Sequence, residues 1–422
     1  MKIFTLSRNT IQYTSLFLIF AAYMQVALGQ KITYEDPWGK QGFSLKEQRS
    51  DAININYSIH DFYMSDMELK GESMVNINLP GHFLPNDAGA PNLPGSGRFI
   101  AIPDGAEVSV NILSSRKETY QNIKIAPAFE LPRDNENKPL KYSKDEKIYS
   151  RNALYPASPV KISEKREIRG VDAVILGVTP FQYNPVTKEL IVYRDLEIEL
   201  NISGGSGTYG EERLRSRYWD PILHDVLLNR QVIPEIDYSK RIMKASRDQG
   251  YEYVIVVPDD NDFIYWADSL KRWRIKQGIS TTVVTIDEIG GNNTNTIEAW
   301  VDDIYNTWDP APSAILLVGD YGTSGNTIIS PVWNSYCVSD HIYADVDGDE
   351  QADITFSRIT ARDADELEIM FGKIFSYESD PPTNPDFYNH PITALGWQTE
   401  RWFQICSEPV GGFFRNELGN DP

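Results

Sequence analysis

Residues 251–320 constrain the fold of this chain more than any other stretch. The apolar run YVIVV at 253–257 ends at Pro258 and an acidic turn. Phe263, Trp266, Leu270, Trp273 and Ile275 then recur at roughly helical spacing as far as Gly278. Residues 279–286 (ISTTVVTI) are rich in β-branched side chains and read as a second strand. A second helical stripe, carrying Thr296, Ile297, Trp300, Val301, Ile304 and Trp308, is closed by Pro310 and Pro312. The run AILLV at 314–318 is a third strand, ended by Gly319 and Asp320. Continuously apolar strands separated by amphipathic helices predict a parallel sheet buried on both faces.

That pattern excludes one common use of such a sheet. After Val257 the chain runs Pro258, Asp259, Asp260, Asn261, Asp262, with no glycine-rich turn to approach a phosphate and several acidic groups to repel one. Charge points the same way. With 40 Lys and Arg against 60 Asp and Glu, the net charge is −20, and no nucleic acid is expected as a partner.

Residues 1–29 read as a secretory signal: Lys2 and Arg8, then the apolar core SLFLIFAAYMQV at 15–26, then Ala27, Leu28 and Gly29 at the cleavage positions. The apolar core is short for spanning a bilayer, so a mature chain starting at Gln30 keeps no transmembrane segment. The expected location is secreted, extracellular or on a cell surface. The two cysteines, Cys337 and Cys406, do not amount to a disulfide framework; they can pair or be buried as small hydrophobes, and Cys406 beside Phe403 and Ile405 suits burial better.

Residues 30–203 have a different texture. Short alternating runs recur at 52–59, 75–79, 98–102, 108–113, 123–125, 173–178 and 190–202, with turn signals at Pro80-Gly81, Pro103-Asp104-Gly105 and Asn184-Pro185. This predicts an all-β, sandwich-like domain. Residues 204–249 read as an exposed linker with a charged helix at 211–230 and with Arg213, Arg215, Arg217, Arg230, Lys240, Arg241, Lys244 and Arg247. Such a segment is either an inert basic linker or an activation segment, since proteases cut exposed basic loops. Residues 250–422 then form the α/β domain, continuing through a strand at 354–359, a helix at 363–377, a core strand at 391–397 and a helix resuming at Trp402 that Pro409 and Gly411-Gly412 weaken.

The sharpest chemical motif is DVDGDEQAD at 345–353. Asp345, Asp347, Asp349 and Asp353 place four carboxylates around one glycine turn, and they repel one another unless a cation neutralises them. Hard oxygen donors suit Ca²⁺ in a structural role. The glycine at the fourth position and Phe356 at the twelfth exclude an EF-hand. The bland alternative is a hydrated acidic turn.

The order of elements and several motifs resemble the gingipain family of secreted bacterial cysteine peptidases. They are GAPNLP at 89–94, Arg169-Gly170, TPFQYNPVTKELIVY at 179–193, LLVGD at 316–320, Ser339-Asp340 with Tyr343, and the aspartate loop followed by Ser357-Arg358, where the family usually has Gly-Arg. The resemblance implies a multidomain zymogen: an all-β, sandwich-like pro-domain, then an α/β caspase-like domain with a parallel, Rossmann-like sheet, truncated at its C-terminus. It implies protein or peptide substrates, an intramolecular pro-domain as partner, and a thiolate attacking a peptide carbonyl with histidine as base and backbone N–H groups holding the oxyanion.

The family's His-Gly and its cysteine at a strand end have no match here and are expected beyond Pro422. His341 and His390 are not followed by glycine. His341 and Cys337 would meet only on a helix, which Pro331 and the β-branched, aromatic texture oppose. Glu400 matches by position the family acid that orients the histidine. The fragment itself is expected to be inactive. The competing reading is a non-catalytic, calcium-stabilised secreted or surface binding protein on the same scaffold.

Overall fold

The computed structural model describes residues 29–82, 86–132, 138–238, 250–335, 337–394 and 401–414. The expected signal segment therefore lies outside the described residues, apart from Gly29. Among the described residues no helix is long and apolar enough to cross a membrane.

Among the described residues the amino-terminal half is β apart from the one-turn helix Glu146–Tyr149. Its largest sheet runs Phe181–Asn184, Glu189–Gly204, Ala52–Ser58, Gly42–Gln48, with Ala106–Tyr120 also paired along Glu189–Gly204. A second sheet is centred on Val171–Val178, flanked by Val160–Ile162, Arg166–Ile168 and Ser96–Ala101. Alternation decides which side chains meet. Ile53, Ile55 and Tyr57 of one sheet share a core with Ile100, Val174, Leu176 and Val178 of the other. The expected sandwich is the observed arrangement.

In the second half the sheet order is Thr281–Thr285, Tyr253–Val257, Ala314–Val318, Thr355–Ile359, all parallel. Period-2 alternation sends Val254, Val256, Ile315 and Leu317 to one face, under the helix Thr294–Thr307 with Ile297, Val301 and Ile304. Ile255, Val257, Leu316 and Val318 face the other way, against Phe263, Ala267 and Leu270 of Asn261–Lys276 and Leu367 and Phe371 of Ala364–Ser379. Side-chain caps start these helices: Asp260 accepts from the amides of Asp262 and Phe263, Asn293 from Thr296, and Asp363 from Glu366.

Glu378 ties the two helices of that second face together. It accepts from Trp273 Nε1 at 2.7 Å, from Arg274 at 2.6 and 2.9 Å, and from Gln277 at 2.9 Å. Burial alone would raise its pKa, but these hydrogen bonds outweigh it and hold the group at about 2, down from 4.5. A depressed carboxylate stabilises the fold above its unfolded pKa and loses that contribution as pH falls through the folded one. Glu378→Gln should therefore cost about 1–2 kcal/mol at pH 7, and the gap from the parent should close between about pH 4.5 and 2. Chemical denaturation of both proteins across that range checks it; a gap that persists unchanged at pH 2 refutes the assignment.

Two expectations fail in the packing. The linker expected to be exposed is not so over 211–233. Instead of one charged helix it forms a 3-10 turn at Glu212–Leu214, a short helix at Asp220–Val226 and a 3-10 turn at Arg230–Val232. Trp219, Leu223, Leu227 and Ile233 pack on Ala101, Ile168, Val171 and Ala173 of the β half. Arg215 is 3% exposed and held by Asp220 at 2.7 and 2.8 Å. Apolar residues at 219, 223 and 227 make one helical stripe, which the arginine count obscured. Lys240, Arg241, Lys244 and Arg247 lie outside the described residues.

The core strand expected at 391–397 is absent from its described part. Residues 391–394 have no regular structure, and Ile392 is 90% exposed. Among the described residues the parallel sheet ends at Thr355–Ile359, and residues 391–394 do not pair with that edge. The helix Arg401–Phe413 carries Pro409 in its interior and continues past it.

Candidate functional site

The aspartate loop lies between the helix His341–Ala344 and the strand Thr355–Ile359. Backbone amides shape it. Asp345 accepts from the amides of Asp349 and Glu350 at 3.0 Å each, and Asp347 accepts from Asp349 at 3.2 Å. Gly348 has φ 76° and Glu350 φ 70°, which tighten the turn. The result brings oxygens of Asp345, Asp347 and Asp353 within 4.8 Å of one another.

Asp349 is directed elsewhere. One of its oxygens accepts from Gln351 N at 2.8 Å and the other from Glu167 N of the β half at 2.9 Å. Three of the four sequence candidates thus converge, while the fourth reaches across to the other half of the chain.

The electrostatics are those of an uncompensated acidic site. Burial, with Asp347 and Glu167 nearby, pushes Asp353 up to about 7 despite amide bonds from Val346 and Arg169. Asp347 is raised by burial and by Asp349, and Glu298 is raised to about 7 by burial and by Asp302 and Asp345. Three carboxylates in one small volume form an all-oxygen donor set of the kind a hard dication prefers.

At the carboxyl ends of the strands sits a second polar centre. Arg358 donates to both oxygens of Asp340 at 2.8 Å, to Ser330 Oγ at 2.9 Å, and to the carbonyls of Gly319 and Ile328 at 3.0 and 2.9 Å. Burial works against the Asp340 carboxylate, but Arg358 and Ser330 outweigh it and lower its pKa. Sequence reading matched Ser339-Asp340 and Ser357-Arg358 as motifs without joining them.

Glu400 lies outside the described residues. Cys337 is on the hairpin Val332–Trp333 and Cys337–Val338, whereas His341 opens a separate four-residue helix. His390 Nδ1 lies 3.1 Å from the Asp386 carbonyl. Both cysteines are free and exposed, Cys406 included, because Ile405 rather than its neighbour faces inward. Among the described residues no thiol is hydrogen-bonded to a histidine.

The residues whose role the sequence does not reveal lie where the halves meet. Arg169, at the tip of a hairpin of the β half, is fully buried against the α/β half. Arg213 donates to the carbonyls of Tyr305 and, at 3.1 Å, Trp308, and Arg217 donates to Gly278 O at 2.5 Å. An Arg-Gly pair between the strands Arg166–Ile168 and Val171–Val178 forms a hairpin turn, but nothing local reveals its distant partner.

Comparison with known proteins matches residues 40–213 to the propeptide C25 family and residues 246–402 to peptidase family C25. Lys-gingipain W83 of Porphyromonas gingivalis is 25% identical over 381 residues, 85% of this chain and 21% of its own length. Gingipain R1 of the same organism is 24% identical over 344 residues, 79% of this chain and 33% of its own. This chain therefore spans about a fifth to a third of the length of these relatives. Among solved structures, a complex of Porphyromonas gingivalis RgpB pro- and mature domains aligns with TM-score 0.41 at 18% identity, covering 46% of this chain and 98% of that one. A gingipain K zymogen structure from the same organism aligns with TM-score 0.35 at 21% identity, covering 42% and 99%. With both family models matched in their expected order, the chain belongs to the gingipain-like C25 cysteine peptidases and carries a propeptide followed by part of the catalytic domain.

Proposed function

We propose that this chain is the front of a secreted cysteine endopeptidase precursor, with a pro-domain at 30–203, an activation connector at 204–249 and the start of the catalytic domain from 250. The observation that carries this reading is the succession of a propeptide-family half and a peptidase-family half in one chain. The packing at 211–233 narrows the activation cut. Arg213 and Arg217 are engaged in the joint and Arg215 is buried on Asp220, which leaves Arg230, Lys240, Arg241, Lys244 and Arg247 as the basic candidates in the connector.

The chemistry would be thiolate attack on a peptide carbonyl, with the His/Cys pair supplied beyond residue 422 and Glu400 orienting the histidine. Residues 30–422 alone should be inactive. In the longest product of the gene, thiol-dependent endopeptidase activity should disappear on alkylation, and Glu400→Gln should lower it about 10–100-fold with cleavage specificity unchanged. Alkylation of Cys337 or Cys406 abolishing an activity of residues 30–422 would overturn this division of labour.

A second reading, a non-catalytic calcium-stabilised surface protein on the same scaffold, draws on the Asp345, Asp347 and Asp353 cluster. The two share the metal proposal: these carboxylates would hold a Ca²⁺ that neutralises the loop and fixes its shape. No endopeptidase activity from the longest product, with the calcium response intact, would favour the second reading.

A further inference from the structure

The joint between the halves turns on one unusual arginine. Ile168 pairs with Val171, so Arg169 and Gly170 form a two-residue hairpin loop, with φ 53° and 76°. Both values belong to the turn type favoured by the strand twist, but the first position normally takes Asn, Asp or Gly. An arginine there is strained, and its side chain would ordinarily point into solvent at a loop tip. Here it is 0% exposed. Gly170 cannot be replaced easily either, since a Cβ would lie 2.5 Å from Leu214 Cδ1.

The guanidinium spends its donors on carbonyl oxygens: Nε to Leu214 at 2.6 Å, Nη1 to Pro312 at 2.6 Å and Asp353 at 2.9 Å, and Nη2 to Ala311 at 3.3 Å. Its backbone amide reaches Asp353 Oδ1 at 3.3 Å. Trp219 and Tyr305 flank it, with ring centroids 5.6 and 5.3 Å from the guanidinium carbon. Trp219 is itself fixed by Nε1 donating to Ser313 O at 2.8 Å. A planar fork with several donors and stacking faces is what this socket fits, and an ammonium group would satisfy only part of it.

Position gives the socket its meaning. Residues 311–313 lead into the strand Ala314–Val318, and Asp353 precedes Thr355–Ile359. Arg213 binds carbonyls at the carboxyl end of the helix Thr294–Thr307, and Arg217 binds Gly278 just past the end of Asn261–Lys276. All three arginines therefore grip the edge where the parallel strands begin. Ligands of open α/β sheets bind at the opposite edge, outside the carboxyl ends of the strands.

We propose that Arg169 is the bolt that retains the pro-domain on the catalytic domain after the connector is cut, from the edge of the sheet remote from the substrate side. Only the cut itself rests on the precursor reading. Leu214 and Trp219 precede the basic candidates at 230 and 240–247, so they leave with the pro-domain, whereas Tyr305, Ala311, Pro312 and Asp353 remain behind. The socket is thus shared between the two products, and one side chain closes it.

The test uses the full chain with a specific protease site inserted in 239–249, cut and then analysed by sedimentation at graded concentrations. The parent halves should travel together at micromolar concentration. Arg169→Ala should weaken their association about thirtyfold to a thousandfold, and Arg169→Lys about tenfold. Parent halves that separate, or Arg169→Ala halves that associate like the parent, overturn the proposal. If the alanine variant does not fold, the lysine variant decides: parent-like affinity there is equally fatal. Because the readout is association, a chain with no peptidase activity still tests the bolt. Peptidase activity with undiminished retention in Arg169→Ala would remove the bolt alone.

Discussion

Replacing Arg358 by alanine should destabilise the α/β half by about 3 kcal/mol or more. The side chain is 10% exposed and its partner Asp340 23% exposed, so little water is available to replace the lost bonds. Removing the guanidinium leaves the Asp340 carboxylate facing Ser330 alone and frees the carbonyls of Gly319 and Ile328. Those carbonyls belong to the exit of the strand Ala314–Val318 and to the segment that returns toward the aspartate loop. Losing the fork therefore loosens the carboxyl-end edge of the sheet as well as one ion pair. Arg358→Lys should recover less than half of the loss, since an ammonium cannot meet both Asp340 oxygens and the carbonyls together. Denaturant titration of the full chain reads both values; a loss below about 1 kcal/mol would place this network among ordinary surface pairs.

Calcium should give the second large effect. Binding at a hundredfold excess over its dissociation constant adds about 2.7 kcal/mol to the folded state, and burial first, with neighbouring carboxylates second, raises the pKa values of Asp347 and Asp353, a cost that a bound cation would offset. Asp347→Asn should abolish the gain in melting temperature on adding millimolar calcium, because Asp347 belongs to the converging set. Asp349→Asn should keep that gain, since its oxygens serve Gln351 and Glu167 instead. A response to calcium in Asp347→Asn equal to the parent's sinks the metal assignment. Loss of the response in Asp349→Asn alone would mean that the loop rearranges around the ion.

Much of the architecture was legible from local pattern. The runs at 253–257 and 314–318 are apolar at every position, which demands cover on both faces, and the structure covers both. The β half was legible for a similar reason, since period-2 alternation and turn residues are local signals. The run at 391–397 shows the limit of that logic. Apolar content alone does not fix strand pairing, and residues 391–394 stay outside the sheet. The segment 211–233 shows the converse: its arginines suggested solvent, yet carbonyls of the α/β half receive Arg213 and Arg217.

The candidate sites divide along the same line. Spacing within nine residues determined that the loop at 345–353 crowds carboxylates, and it belongs to the sequence alone. Only the tertiary structure decided that Asp349 turns outward to Glu167, 182 residues away, while Asp345, Asp347 and Asp353 converge. The same holds for Arg169, whose partners Pro312 and Asp353 lie 143 and 184 residues further on. Composition and periodicity report what a side chain needs, which is burial, a pleat or a cap. Which distant carbonyl or carboxylate meets that need is set by how the halves pack, because hydrogen bonds act over a few ångströms and carry no record of sequence separation.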